Sequence, residues 1–160
     1  MTTKATDTTP TTGAEDVAWD IGTLVDGEGA DGARRLLDRA MEEARRLTAD
    51  LKGTLTAASA AGLAGALDRL ASVHEDVGRA ASYAQLDFAV DTSDPARGAL
   101  AQEVTERVSA LEAELVWFDL EVVAIDDERV VATLALRSKS QSFSMPSTFA
   151  FSRYHRCGMS

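Results

Sequence analysis

The stretch "SYAQLDFAVDTSDPARGAL", Ser82 to Leu100, decides the fold. It begins as one helical pattern, breaks at Asp91-Thr92-Ser93-Asp94-Pro95, and resumes as another. Asp94 suits an N-cap, because a short carboxylate there accepts a bond from an otherwise unpaired backbone N–H. Pro95 then falls at the first helical position, where a missing N–H removes no hydrogen bond and φ is already set. One helix therefore ends near Asp91 and the next starts at Pro95. A connection this short between two long amphipathic helices gives an antiparallel hairpin.

Downstream of the corner, Leu100, Val104, Val108, Leu111, Leu115, Phe118 and Val122 recur every three or four residues. That spacing puts them on one helical face. Upstream, Leu63, Ala66, Leu67, Leu70, Val73, Val77, Ala81, Ala84 and Phe88 form the matching stripe, with Ser59 as its start and Val90 as its end. A helix of some thirty residues rises roughly 45–50 Å. Gly65 and Gly78 lower its intrinsic stability by about 1 kcal/mol each relative to alanine, so tertiary packing must hold it. The expected seam pairs Val77, Ala81, Ala84 and Phe88 with Leu100, Val104, Val108 and Leu111.

An earlier helix is expected from an Asp31 cap, carrying Leu36, Leu37, Ala40, Ala44, Leu47, Leu51 and Leu55, with Gly53 as its end or weak point. A fourth is expected to start at "IDDERVVATLAL", with Asp126 as cap. The fold class is thus all-α, a long antiparallel hairpin within a bundle of three or four helices. Ahead of it, "VAWDIGTLVDGEGADG" is expected to be an irregular segment anchored by Trp19 and broken by Gly27, Gly29 and Gly32. Residues 1–16 are Thr-rich and aperiodic, and are expected to be a disordered leader rather than a signal peptide.

The composition changes after Leu136. All 26 Asp and Glu residues lie at or before Glu128. From Arg137 to Ser160 there are seven Ser, three Phe, four Lys or Arg, and no Leu, Ile or Val. Residues 137–160 are expected to be a disordered tail or out-of-frame translation, leaving residues 17–136 as the helical domain.

Phosphate contacts need a basic face, so at a net charge of −10 no nucleic-acid partner is expected. No apolar run approaches the ~18 residues of a membrane span. The single cysteine, Cys157, leaves no internal disulfide, and the expected compartment is the cytoplasm.

The candidate motifs fall short of the chemistry they resemble. "HEDVG" starts as the zinc motif H-E-x-x-H, whose two histidines share one helix face. Gly78 stands where the second ligand is needed, which leaves His74 a surface histidine. His155 and Cys157 form an isolated pair without the second pair a zinc site needs. Glu112, Glu114, Asp119 and Glu121 have no histidine in register for a dinuclear metal helix and are expected to be a solvated face. "GEGADG", with Gly27, Gly29 and Gly32, lacks the buried strand and the Lys-Ser/Thr of a phosphate loop and is expected to be a flexible turn. No catalytic, cofactor-binding or metal-binding residue is assigned.

Three stretches together resemble the N-terminal region of oligoendopeptidase F-type zinc metallopeptidases, relatives of the thimet oligopeptidases. They are "AWDIGTL" (Ala18–Leu24), "LASVHEDVGRAASYAQLDFAVDTSDPARGAL" (Leu70–Leu100) and "ALEAELVWFDLEVVAIDDER" (Ala110–Arg129). The resemblance covers Val17 to about Leu136. It implies a mostly helical peptidase whose N-terminal helices wall a channel for short peptides. Zinc, the H-E-x-x-H and a later Glu belong to the intact family enzyme, and no such residues occur in these 160. The resemblance therefore implies an N-terminal fragment, truncated or frameshifted near residue 136 and inactive alone. The competing expectation is a stand-alone helical interaction module that self-associates through exposed apolar helix faces. An uncovered apolar face separates the two, because a fragment should leave one orphaned.

Overall fold

The computed structural model of the chain describes residues 19–140. They form four α-helices: α1 (Gly29–Leu51), α2 (Ala60–Val90), α3 (Pro95–Val123) and α4 (Asp127–Ser140). Two short 3-10 turns, Ile21–Val25 and Leu55–Ala57, precede α1 and α2. The fold is an all-α bundle built around the α2–α3 hairpin.

The corner at residues 91–95 is closed by its own polar side chains. Asp94 accepts the Ala96 N–H at 2.8 Å and Pro95 opens α3. Asp91 accepts both the Ser93 N–H at 3.0 Å and the Ser93 hydroxyl at 2.6 Å. These two bonds hold the Asp91 carboxyl below the usual carboxylate range. Ser59 caps α2 by accepting the Gly62 N–H at 3.1 Å, and Asp126 caps α4 by accepting the Arg129 N–H at 2.9 Å.

Two apolar clusters set the directions of the helices. Near the corner, Ala33, Leu36 and Leu37 of α1 meet Ala80 and Ala84 of α2 and Leu100 and Val104 of α3. At the far end, Ala40, Ala44 and Leu47 meet Leu63, Leu67, Leu70 and Val73, with Leu111, Leu115 and Phe118. Rising numbers in α1 and α3 thus meet falling numbers in α2, so α2 is antiparallel to both. The α1–α3 contacts confirm it: Arg34–Glu103, Asp38–Arg107 and Thr48–Trp117 are each separated by 69 residues, the signature of two parallel helices in fixed register.

Much of the α1–α2 seam is alanine. Ala33, Ala40 and Ala44 of α1 and Ala66, Ala80 and Ala84 of α2 are buried almost completely. Larger groups fill the far end, where Phe118 and Trp117 pack edge to face at 5.5 Å. The Trp117 indole N–H donates to Thr48 Oγ1 at 2.9 Å, so the ring is buried without an orphan donor.

The structure corrects five expectations. Trp19 is not an anchor, being 86% exposed. Val25, at 1%, anchors that segment instead, on a 3-10 turn capped by Asp20. The first helix begins at Gly29 rather than from an Asp31 cap, and Asp31 lies inside its first turn, paired with Arg34 at 3.1 Å. The glycine-rich stretch is a fixed turn, since Arg79 of α2 donates to the Leu24 carbonyl at 2.8 Å and to Asp26 at 2.7 Å. Gly32 is required by closeness: a Cβ there would lie 2.4 Å from the Val25 carbonyl oxygen.

The α2 face is rotated from the expected stripe. Asp76, Ala80 and Ala84 are its buried positions beyond Val73, with Val77 and Ala81 half-buried. The reason is that α2 is covered by α1 on one side and α3 on the other, so its contact surface is wider than one seam. Finally, α4 does not stop at Leu136 but continues to Ser140. Arg137 extends it because its guanidinium reaches Asp68 of α2 at 2.9 Å. The expected leader, residues 1–16, and residues 141–160 of the expected tail lie outside the described residues.

Candidate functional site

A cleft of about 500 Å³ lies between α1 and α2. At its centre Asp76, 7% exposed, accepts two bonds from Arg39, from Nε at 2.6 Å and from Nη at 2.5 Å. This fork geometry suits a guanidinium against a carboxylate. The bond to Asp76 raises the Arg39 guanidinium above its ordinary value, against the opposing effect of burial. Arg69 donates to Glu43 at 2.5 Å and to Asp50 at 2.9 Å, and its guanidinium is raised in the same way, first by Glu43. Arg46 pairs with Glu42.

The cleft is therefore a latticework of matched charges. Each of these arginines already has a carboxylate, so none is presented to an anion. Ser72 lines the cleft, no histidine lines it, and the lining carboxylates Glu42, Glu43, Asp68 and Asp76 are each paired with an arginine. The arrangement fixes α1 to α2 and offers no reaction step. Sequence reading missed the Arg39–Asp76 pair. The available signal was a charged residue at helical spacing from Val73 inside an apolar stripe.

His74 is exposed on α2, and Gly78 has open space where a Cβ would stand. His155 and Cys157 lie outside the described residues. The carboxylates of α3 separate into two groups. Glu112 and Asp119 are exposed. Glu121, expected on a solvated face, instead binds the α1–α2 connection: its carboxylate accepts the Gly53 N–H at 2.6 Å and the Leu55 N–H at 3.1 Å. Gly53 has φ of +83°, the left-handed conformation that ends α1 and turns these two N–H groups toward α3.

Among the described residues, no three His, Cys, Asp or Glu side chains lie close enough to hold a metal ion. Zinc therefore has no fitting donor set here, and no step is derived through it. No described helix is long and apolar enough to cross a membrane.

Among the described residues, six of the nine exposed large apolar side chains lie on α3 and α4, the others being Trp19, Leu86 and Val90. Val116, Leu120 and Val123 of α3 and Val131, Leu134 and Leu136 of α4 are all more than one-third exposed. The chain matches no protein-family model, no curated protein and no solved structure.

Proposed function

We propose that the helical body is the N-terminal part of an oligoendopeptidase F-type zinc metallopeptidase, a non-catalytic wall of a channel for short peptides. The observation that supports this reading is the set of exposed apolar side chains on α3 and α4, Val116, Leu120, Val123, Val131, Leu134 and Leu136, which a piece of a larger helical enzyme would leave uncovered. The family's zinc and its H-E-x-x-H have no counterpart in this chain, so the reading gives it no hydrolytic step of its own.

The test is to sequence the coding DNA from codon 130 onward and translate all frames. The expected result is a neighbouring frame that continues the acidic helical pattern and reaches an H-E-x-x-H. Absence of such a frame overturns the fragment reading. So does chelator-sensitive peptide hydrolysis by the purified 160-residue chain.

A second reading, a stand-alone helical interaction module, is favoured by the two internal clusters. The four helices already bury Phe118, Leu47, Leu63 and Val73 without outside help.

A further inference from the structure

We infer that the α1–α2 connection is a carboxylate-binding site in its own right, and that Glu121 is the ligand it holds in this chain. Backbone N–H groups alternate in direction along it. Those of Lys52 and Thr54 turn back onto α1, to the Thr48 and Leu51 carbonyls at 3.2 and 2.9 Å. Those of Gly53 and Leu55 turn the other way, and each meets a different oxygen of Glu121, at 2.6 and 3.1 Å. Both oxygens of one planar carboxylate are therefore engaged.

The site is built without help from its ligand. Lys52 at φ −60°, ψ 126° followed by Gly53 at φ +83° makes a type II turn. Thr54 closes that turn twice, its N–H and its hydroxyl each donating to the Leu51 carbonyl at 2.9 Å. The Leu55 side chain, 0% exposed, pins the far side into the core. None of these supports involves Glu121, so the two N–H groups keep their direction when the carboxylate is taken away. On the Gly53 side the site opens to solvent. The connection follows the C-terminal end of α1, where the helix dipole disfavours an anion. The two aimed N–H groups must therefore hold the charge, which selects a two-oxygen carboxylate over a spherical ion. Glu121→Ala deletes one methylene and the carboxylate, a group the size of acetate. In the parent chain the tether to α3 gives Glu121 an effective concentration that a small carboxylate in solution does not match. The inference rests on neither functional reading above.

The experiment compares the full-length chain with its Glu121→Ala variant in sodium acetate and in sodium chloride of equal ionic strength. Acetate should bind the folded variant and restore about half or more of the Tm it lost, whereas chloride should not. The parent, its site already filled, should gain no more from acetate than from chloride. In amide NMR of the variant, acetate should shift the Gly53 and Leu55 N–H resonances saturably, with one Kd for both. Should the variant be unfolded in chloride, refolding on addition of acetate supports the inference and continued unfolding overturns it. Equal effects of acetate and chloride on the variant overturn it too. So does an equal gain by the parent, or a saturable shift at other amides with Gly53 and Leu55 unmoved.

Discussion

Replacing Glu121 with alanine tests how the α1–α2 connection is held. The carboxylate accepts two backbone N–H groups, from Gly53 and Leu55, in a loop more than sixty residues away in sequence. A hydrogen bond to a charged group contributes about 1.5–3 kcal/mol, with less at an exposed site. The Gly53 bond is exposed and the Leu55 bond partly buried, so the pair together is worth about 2–3 kcal/mol. Alanine also leaves the Leu55 N–H without its acceptor beside a side chain that is 0% exposed. For a body of this size such a loss lowers Tm by about 10 °C. Glu121→Gln keeps one acceptor oxygen and should lose roughly half as much. Glu112→Ala, on the same helix with no bond to lose, should stay within about 0.5 kcal/mol of the parent. Urea unfolding followed by far-ultraviolet circular dichroism measures all three. Equal effects at positions 121 and 112, or no effect at 121, would refute the clamp.

Two further outcomes follow from the geometry. Gly32→Ala should destabilise, because its Cβ meets the Val25 carbonyl oxygen, whereas Gly65→Ala, with nothing within 4 Å, should stabilise α2 by about 1 kcal/mol in thermal melts. At the corner, the lowered pKa of Asp91 adds stability above the ordinary carboxylate value, and that stability is lost as pH falls through the lowered folded-state value, so the turn loosens only in acid. Ser93→Ala removes the main cause and should move the Asp91 titration, followed by NMR, back up toward the ordinary carboxylate range.

What was legible in the sequence was local. Asp94, Pro95, Ser59, Asp126 and Gly53 act on backbone groups within a few residues, so composition and spacing reveal them. The hairpin follows because its loop is too short for another arrangement. What was not legible depends on partners distant in the chain. Glu121 looked like one member of a solvated acidic face, and only the passage of Gly53 and Leu55 beside it gives it a role. Asp76 interrupts an apolar stripe and is tolerated because Arg39 stands opposite. The extension of α4 rests on Asp68, nearly seventy residues before Arg137. Trp19 misled because its size suggested burial, while Val25 fits the space against α2. The candidate motifs could be read as incomplete from missing ligands alone.

The alanine seam between α1 and α2 has a consequence for how the chain tolerates change. Alanine loses no rotamer freedom on burial, so this contact is made at almost no side-chain entropy. These alanines, at most 2% exposed, have no larger side chain to truncate and little room to accept one. Saturation mutagenesis should therefore show an inverted profile there, with Ala33, Ala40, Ala44, Ala80 and Ala84 sensitive to added methyl groups and nearly indifferent to glycine beyond its helix penalty. Drift at these positions would be one-directional, and the spacing of the two helices would be the most constant dimension of the molecule.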